Sequence, residues 1–104
     1  MERVAWKIKL IKGMKEEYKR RHDEIWPEMT ETLNKAGMHN YTIWNVGDDL
    51  FGYYEVENLE ACNRVLAESP VVARWNEYMK DVIQFDIDPE TGTVPALKLM
   101  FYHK

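Results

Sequence analysis

Apolar and polar residues alternate along positions 3–10. Val4, Trp6, Ile8 and Leu10 fall on one side, and Arg3, Ala5, Lys7 and Lys9 on the other. A period of two predicts a strand. From Met14 the period lengthens. Tyr18, His22 and Trp26 recur every fourth residue in a stretch rich in Glu, Lys and Arg, which predicts a helix. Pro27 removes a backbone donor and clashes with the preceding turn, so the helix kinks or restarts there. A second helical stretch, Glu28 to Ala36, ends at Gly37, a natural helix stop.

Asn40 to Val46, rich in Tyr, Thr, Ile, Trp and Val, reads as a second strand. Gly47-Asp48-Asp49 has turn chemistry, and Leu50 to Val56 completes a hairpin. Asn58 can cap a helix running towards Glu68, and Ser69-Pro70 supplies a second start with a capping hydroxyl and Pro at the first helical position. Val72, Trp75, Met79 and Val82 fall at helical spacing beyond it. Phe85 to Pro95 reads as a loop. Leu97, Leu99 and Phe101 then alternate with Lys98, Met100 and Tyr102 in an expected final strand. The order β-α-β-β-α-β predicts an α+β protein: a four-stranded antiparallel sheet with helices on one face, in the ferredoxin-like arrangement, with residues 1–104 forming one domain.

The expected sheet carries bulk on both sides. Tyr41 and Ile43 oppose Thr42, Trp44 and Val46. Leu50, Tyr54 and Val56 oppose Phe51 and Tyr53. Leu97, Leu99 and Phe101 oppose Met100 and Tyr102. An apolar second face calls for cover, by sheet-to-sheet dimerisation, by a ligand cavity, or by both.

Composition adds little beyond a soluble globular class: 45% hydrophobic and 31% charged residues, with a formal net charge of −4. Charge is uneven. Residues 1–22 carry Arg3, Lys7, Lys9, Lys12, Lys15, Lys19, Arg20 and Arg21 against Glu2, Glu16 and Glu17. These basic residues spread over a strand and a helix, which predicts internal balance between neighbouring elements rather than a nucleic-acid face. No run is long and apolar enough to span a membrane, and Lys7 and Lys9 interrupt the N-terminal stretch, so no signal peptide and a cytoplasmic location are expected. One cysteine, Cys62, leaves no disulfide framework and reads as packing.

The candidate chemistry is sparse. His22, His39 and His103 have no metal-ligand spacing, and neither a glycine-rich phosphate loop nor a nucleophile elbow is present. Tyr18 and His22, four apart on a helix, share one face, where a phenol and an imidazole can reach the same small molecule. An imidazole's ordinary pKa near 6.5 suits proton transfer. The same spacing serves a half-buried helix histidine beside a core tyrosine, and spacing alone leaves both open. Arg20, Arg21, Asp23 and Glu24 around it are expected to face water or partner groups. Tyr41, Trp44, Trp75 and Tyr78 add aromatic surface that suits a sugar's C–H face or an ordinary core.

The segment Tyr18-Lys19-Arg20-Arg21-His22-Asp23-Glu24-Ile25-Trp26-Pro27-Glu28-Met29 resembles the signature of the L-rhamnose mutarotase family, as do Gly37 to Trp44 and Arg74 to Met79. The resemblance covers the whole chain. It implies a cytoplasmic homodimer whose ferredoxin-like protomers join into a dimeric α+β barrel. It also implies an isomerase of rhamnose metabolism that interconverts the α and β anomers of L-rhamnopyranose without cofactor or metal. By the same resemblance, His22 matches the proton-transferring histidine, Tyr18 and Tyr41 the sugar-contacting tyrosines, and Trp75 and Asn76 a tandem Trp pair. Asn76 departs from that pattern. Two other classes suit the same fold: a cofactor-free monooxygenase or haem-degrading enzyme on the dimeric barrel, and a non-catalytic sugar-binding module.

Overall fold

The computed structural model describes residues 1–84 and 96–104. Its elements are β1 (Glu2–Leu10), α1 (Lys15–Asp23), α2 (Pro27–Lys35), β2 (His39–Val46), β3 (Asp49–Val56), α3 (Leu59–Glu68), α4 (Pro70–Met79) and β4 (Ile83–Gln84). The sheet order is β2-β3-β1-β4, and every pair is antiparallel. This is the expected ferredoxin-like sheet.

Local chemistry sets most boundaries. Pro27 opens α2 at its first helical position, and Trp26 before it is extended, so α1 and α2 are separate helices. After α2, Gly37 adopts φ +79. Its N–H donates to the Asn34 carbonyl and the Met38 N–H donates to that of Leu33, closing the helix end in a Schellman motif. Asn58 Oδ1 accepts from the Ala61 N–H at 3.0 Å to start α3, and Ser69 Oγ accepts from the Val72 N–H at 3.3 Å to start α4.

The face of the sheet towards the helices carries Ile8, Leu10, Leu50, Tyr54 and Val56, all buried. Two clusters make the core. One joins Ile8, Leu10, Tyr18, Met29, Trp75 and Met79, and the other joins Ala36, Met38, Tyr54, Val56 and Cys62. The register between β2 and β3 shifts between His39 and Thr42, where Asn40 takes φ +52. This bulge lies beside Tyr41 and re-aims the start of β2. On the opposite face Trp44 and Val46 are 69% and 63% exposed, so the second apolar face is present in β2.

The expected last strand differs. The fourth strand is Ile83–Gln84, paired with Lys9 and Leu10. Residues 97–102 form no ladder. Ala96 makes an isolated bridge with Trp6, and the Leu97 N–H donates to the Ala5 carbonyl at 2.8 Å. Beyond these contacts Leu99, Met100 and Phe101 stand exposed. The free edge of β1 is already occupied at one end by β4, and alternation without a hydrogen-bonding partner does not make a strand. The loop expected over Phe85 to Pro95 lies outside the described residues.

Four of the eight basic residues of the N-terminal stretch pair with acidic neighbours. Lys7 pairs with Asp49, Lys19 with Asp23, Arg20 with Glu17 and Glu24, and Arg21 with Glu17 and Asp81. No helix among the described residues is long and apolar enough to cross a membrane.

Candidate active site

A cavity of about 620 Å3 lies between the inner face of the sheet and the helices. Each wall has a separate origin. From α1 come Tyr18 and His22, one turn apart. From α4 come Trp75 and Asn76. From β2 comes Tyr41, beside the bulge. The five residues singled out in the sequence therefore line one cavity, although they lie up to 58 positions apart. Trp6, Tyr54 and Asn63 line it as well. Sequence reading gave these three no role. Trp6 carried a visible signal in Gly52, a glycine inside a strand, which marks close approach. A second hollow of about 470 Å3 lies beyond Tyr18, His22 and Ile43, which line both spaces, and reaches Trp44, Asn45 and Lys19.

The imidazole is held on three sides. The Tyr18 ring stacks on His22 with centroids 4.2 Å apart and planes at 29°. Trp75 meets it edge-on at 5.3 Å and 86°. The third restraint is a hydrogen bond between His22 Nδ1 and the Tyr18 carbonyl oxygen at 3.1 Å. A carbonyl oxygen only accepts, so Nδ1 carries the proton and Nε2 presents a lone pair. Burial disfavours the charged imidazolium and lowers the pKa of His22 below 6.5. The bond to the Tyr18 carbonyl and the charge of Asp23 oppose that shift more weakly. His22 is thus neutral near pH 7.

The two phenols behave in the opposite sense. Burial raises the Tyr18 pKa well above its ordinary value, with a smaller push from Tyr41. Burial also raises that of Tyr41, against a hydrogen bond from Trp6 that lowers it. Both hydroxyls keep their protons and can donate hydrogen bonds to an oxygen-rich ligand. The other histidines are elsewhere: His39 is exposed at the start of β2, and His103 is exposed near the C-terminus.

One sequence expectation changes in detail. Trp26 does not continue the α1 stripe. It precedes α2 and packs behind the site, stacked on Tyr78 at 5.4 Å and edge-on to Trp75 at 5.1 Å. Of the two settings expected for Arg21, water or partner groups, it takes the second: its side chain is 10% exposed and reaches partners 57 and 60 residues away. Cys62 is completely buried in the second core cluster, and burial raises its thiol pKa, which fits the packing role read for it.

A curled antiparallel sheet, its helical layer and an aromatic cavity holding a neutral imidazole define an α+β barrel enzyme that acts on a small molecule. The sequence profile described as L-rhamnose mutarotase matches residues 3–103. An L-rhamnose mutarotase of Listeria monocytogenes serovar 1/2a is 42% identical over 105 residues, covering 98% of each chain. One of Tolumonas auensis is 47% identical over 74 residues, covering 69% of this chain and 70% of its own. The crystal structure of an L-rhamnose mutarotase from Formosa agariphila superposes over the full length of both chains with a TM-score of 0.81 and 32% identity. The tetracenomycin F2 cyclase of Streptomyces glaucescens, 12% identical with a TM-score of 0.71, shares the fold. The chain belongs to the L-rhamnose mutarotase family. It is accordingly an isomerase that interconverts sugar anomers, which decides against the monooxygenase and the binding module.

Proposed function

We propose that residues 1–104 form one mutarotase domain in which His22 moves the proton that opens and closes the ring of L-rhamnopyranose. The observation that carries this reading is the hydrogen bond of His22 Nδ1 to the Tyr18 carbonyl, which leaves Nε2 a neutral base on a side chain that lines the cavity. Opening breaks the O1–H and C1–O5 bonds and forms C1=O1 and O5–H. Both oxygens sit on one carbon, so one imidazole can take the proton from O1 and deliver it to O5. Rotation about C1–C2 turns the aldehyde, and the reverse transfer closes the ring on its other face. Nothing is oxidised and no group leaves, so the step balances without a cofactor or a metal.

The phenols of Tyr18 and Tyr41 hold the sugar oxygens as donors. Their raised pKa values favour hydrogen bonding over loss of the proton. Trp75 offers an aromatic wall to the C–H face of the ring. Asn76, at an exposed position of α4, offers an amide where the family pattern has a second indole.

The same proposal includes a cytoplasmic homodimer and no nucleic-acid partner. Trp44 and Val46 are apolar and exposed on the outer face of the sheet, with Phe51 and Tyr53 half-buried beside them, and a second copy would cover all four. The single buried thiol suits a reducing compartment. Lys7, Lys19, Arg20 and Arg21, half of the basic residues of the N-terminal stretch, are tied to carboxylates, which supports the absence of a nucleic-acid partner.

The test is NMR saturation transfer between the anomers of L-rhamnose, with and without protein. His22→Ala should fold, associate as the parent does and lose about 10²–10⁴-fold in exchange rate. Exchange near the parent rate in that variant would remove His22 from the role.

A further inference from the structure

Among the described residues Arg21 is the ion-paired cation most withdrawn from water, and its partners lie on α1 and at the end of α4. Its Nε donates to Glu17 Oε2 at 2.7 Å, one turn back on α1. Nη1 donates to the Tyr78 carbonyl at 2.6 Å and to Asp81 Oδ1 at 2.8 Å, and Nη2 to Asp81 Oδ2 at 3.3 Å. The guanidinium carbon also lies 4.4 Å from the centre of the Tyr78 ring. The Tyr78 carbonyl is in the last turn of α4, where unpaired carbonyls and the helix dipole favour a cation. The planar fork engages a carboxylate, a carbonyl and a ring face at once, which a lysine cannot do.

The consequence for the site follows from neighbours. Arg21 adjoins His22 in the chain, and Tyr78 is one turn beyond Trp75. Tyr78 meets Trp75 at 5.7 Å, and Trp75 meets the His22 ring at 5.3 Å. A closed circuit results: Arg21 to Tyr78, Tyr78 to Trp75, Trp75 to His22, and back along the α1 backbone. Among the described elements the backbone of α1 does not approach another helix extensively, so side chains do much to hold it in place.

We propose that Arg21 is a positioning residue for anomer exchange: it fastens the end of α1 to the end of α4 and thereby fixes the His22 imidazole against Trp75. This rests on the assignment of proton transfer to His22. Arg21 touches no reacting atom. Of the sugar-holding groups, Tyr41 and Asn76 lie on β2 and α4 outside the clamped helix, while Tyr18 shifts together with His22, so the transition state suffers more than ground-state binding does.

The experiment compares Arg21→Lys, Arg21→Met and Asp81→Asn with the parent. Each is assayed well below its own melting temperature on protein with a native near-ultraviolet spectrum, and His22→Ala runs alongside. Displacement of a catalytic group by about 1 Å costs up to about 10²-fold, so kcat should fall about tenfold or more in Arg21→Met. KM should change by less than kcat, the signature of an interaction felt mainly in the transition state. Asp81→Asn should fall less, and Arg21→Lys, which keeps the charge without the fork, should fall in between. If Arg21→Met does not fold, the other two carry the comparison. A lowered melting temperature with an unchanged kcat would make Arg21 merely structural, and a rise in KM alone would make it a binding residue. Either result overturns the proposal. If His22→Ala retains exchange, the assignment beneath the proposal fails first, and the two failures are distinguishable.

Discussion

The indole of Trp6 occupies the space that a β-carbon on Gly52 would fill. The two residues face each other across the β1–β3 ladder, and on the other side Ile43 of β2 also pairs with Gly52. The absent side chain lets Trp6 lie flat on the sheet, edge-on to Tyr41 at 6.4 Å. Gly52→Ala should push the ring into the cavity and cost about 1–3 kcal/mol through overpacking. For a chain of this size that lowers the melting temperature by about 4–8 °C per kcal/mol. Calorimetry checks the loss, and an unchanged melting temperature would mean that the indole yields freely.

Sequence reasoning placed the pH dependence near an ordinary imidazole value, and burial of His22 moves the expected inflection below 6.5. Activity should be level above pH 7 and fall as Nε2 is protonated on the acid side. Stability follows the same sign. The folded state binds this proton less readily than the unfolded chain. The contribution of His22 is complete above 6.5 and declines as pH drops through the folded value. A profile of kcat/KM from pH 4.5 to 8 reads the first effect and melting curves over the same range the second. An activity inflection above 7 would contradict the assignment.

In the role proposed for Tyr41, Tyr41→Phe removes a hydroxyl from a half-buried ring that binds without transferring a proton. Its KM should rise more than its kcat falls, because an interaction common to ground and transition states is lost. Tyr18→Phe leaves the ring stacked on His22 and the carbonyl partner of Nδ1 in place, so it should retain the base and lose a hydrogen bond worth about 0.5–1.5 kcal/mol. Single-turnover exchange at saturating sugar separates the two variants.

Tyr53→Lys or Met100→Lys should weaken self-association. Tyr53 lies half-buried on the outer sheet face, its hydroxyl donating to Glu55 at 2.7 Å, and Met100 is fully outside the fold at 84% exposure. A lysine in either place leaves an unpaired charge to be buried. Light scattering over a concentration series gives the answer. A parent protein that is monomeric at micromolar concentration would sink the dimer.

Legibility in the sequence followed the range of the interaction. Pro27, Asn58 and Ser69-Pro70 act on groups within three or four residues, and each helix starts where that chemistry places it. The alternation in β1 and β3 projects onto one buried face because both are internal strands with partners on either side. The strand expected over Leu97 to Tyr102 failed for the converse reason: a period of two does not specify a partner, and a two-residue β4 is too short to leave a pattern. In the site, Tyr18 and His22 were visible as one helix face. The hold of Arg21 on Tyr78 and Asp81, and of Trp6 on Gly52, joins residues at least 46 positions apart, and no local spacing records such pairs.

Cys62, completely enclosed between α3 and the sheet, also gives the chain a single built-in reporter of its own breathing. A thiol this deep, with its ionisation pushed up by burial, reacts with a disulfide reagent only during openings that expose it. The rate of labelling in native buffer therefore counts how often this half of the core opens. The proposed sugar site touches both halves of the core, through Tyr18 and Trp75 on one and Tyr41 on the other, so slower labelling with sugar bound would measure how far the sugar holds this half closed.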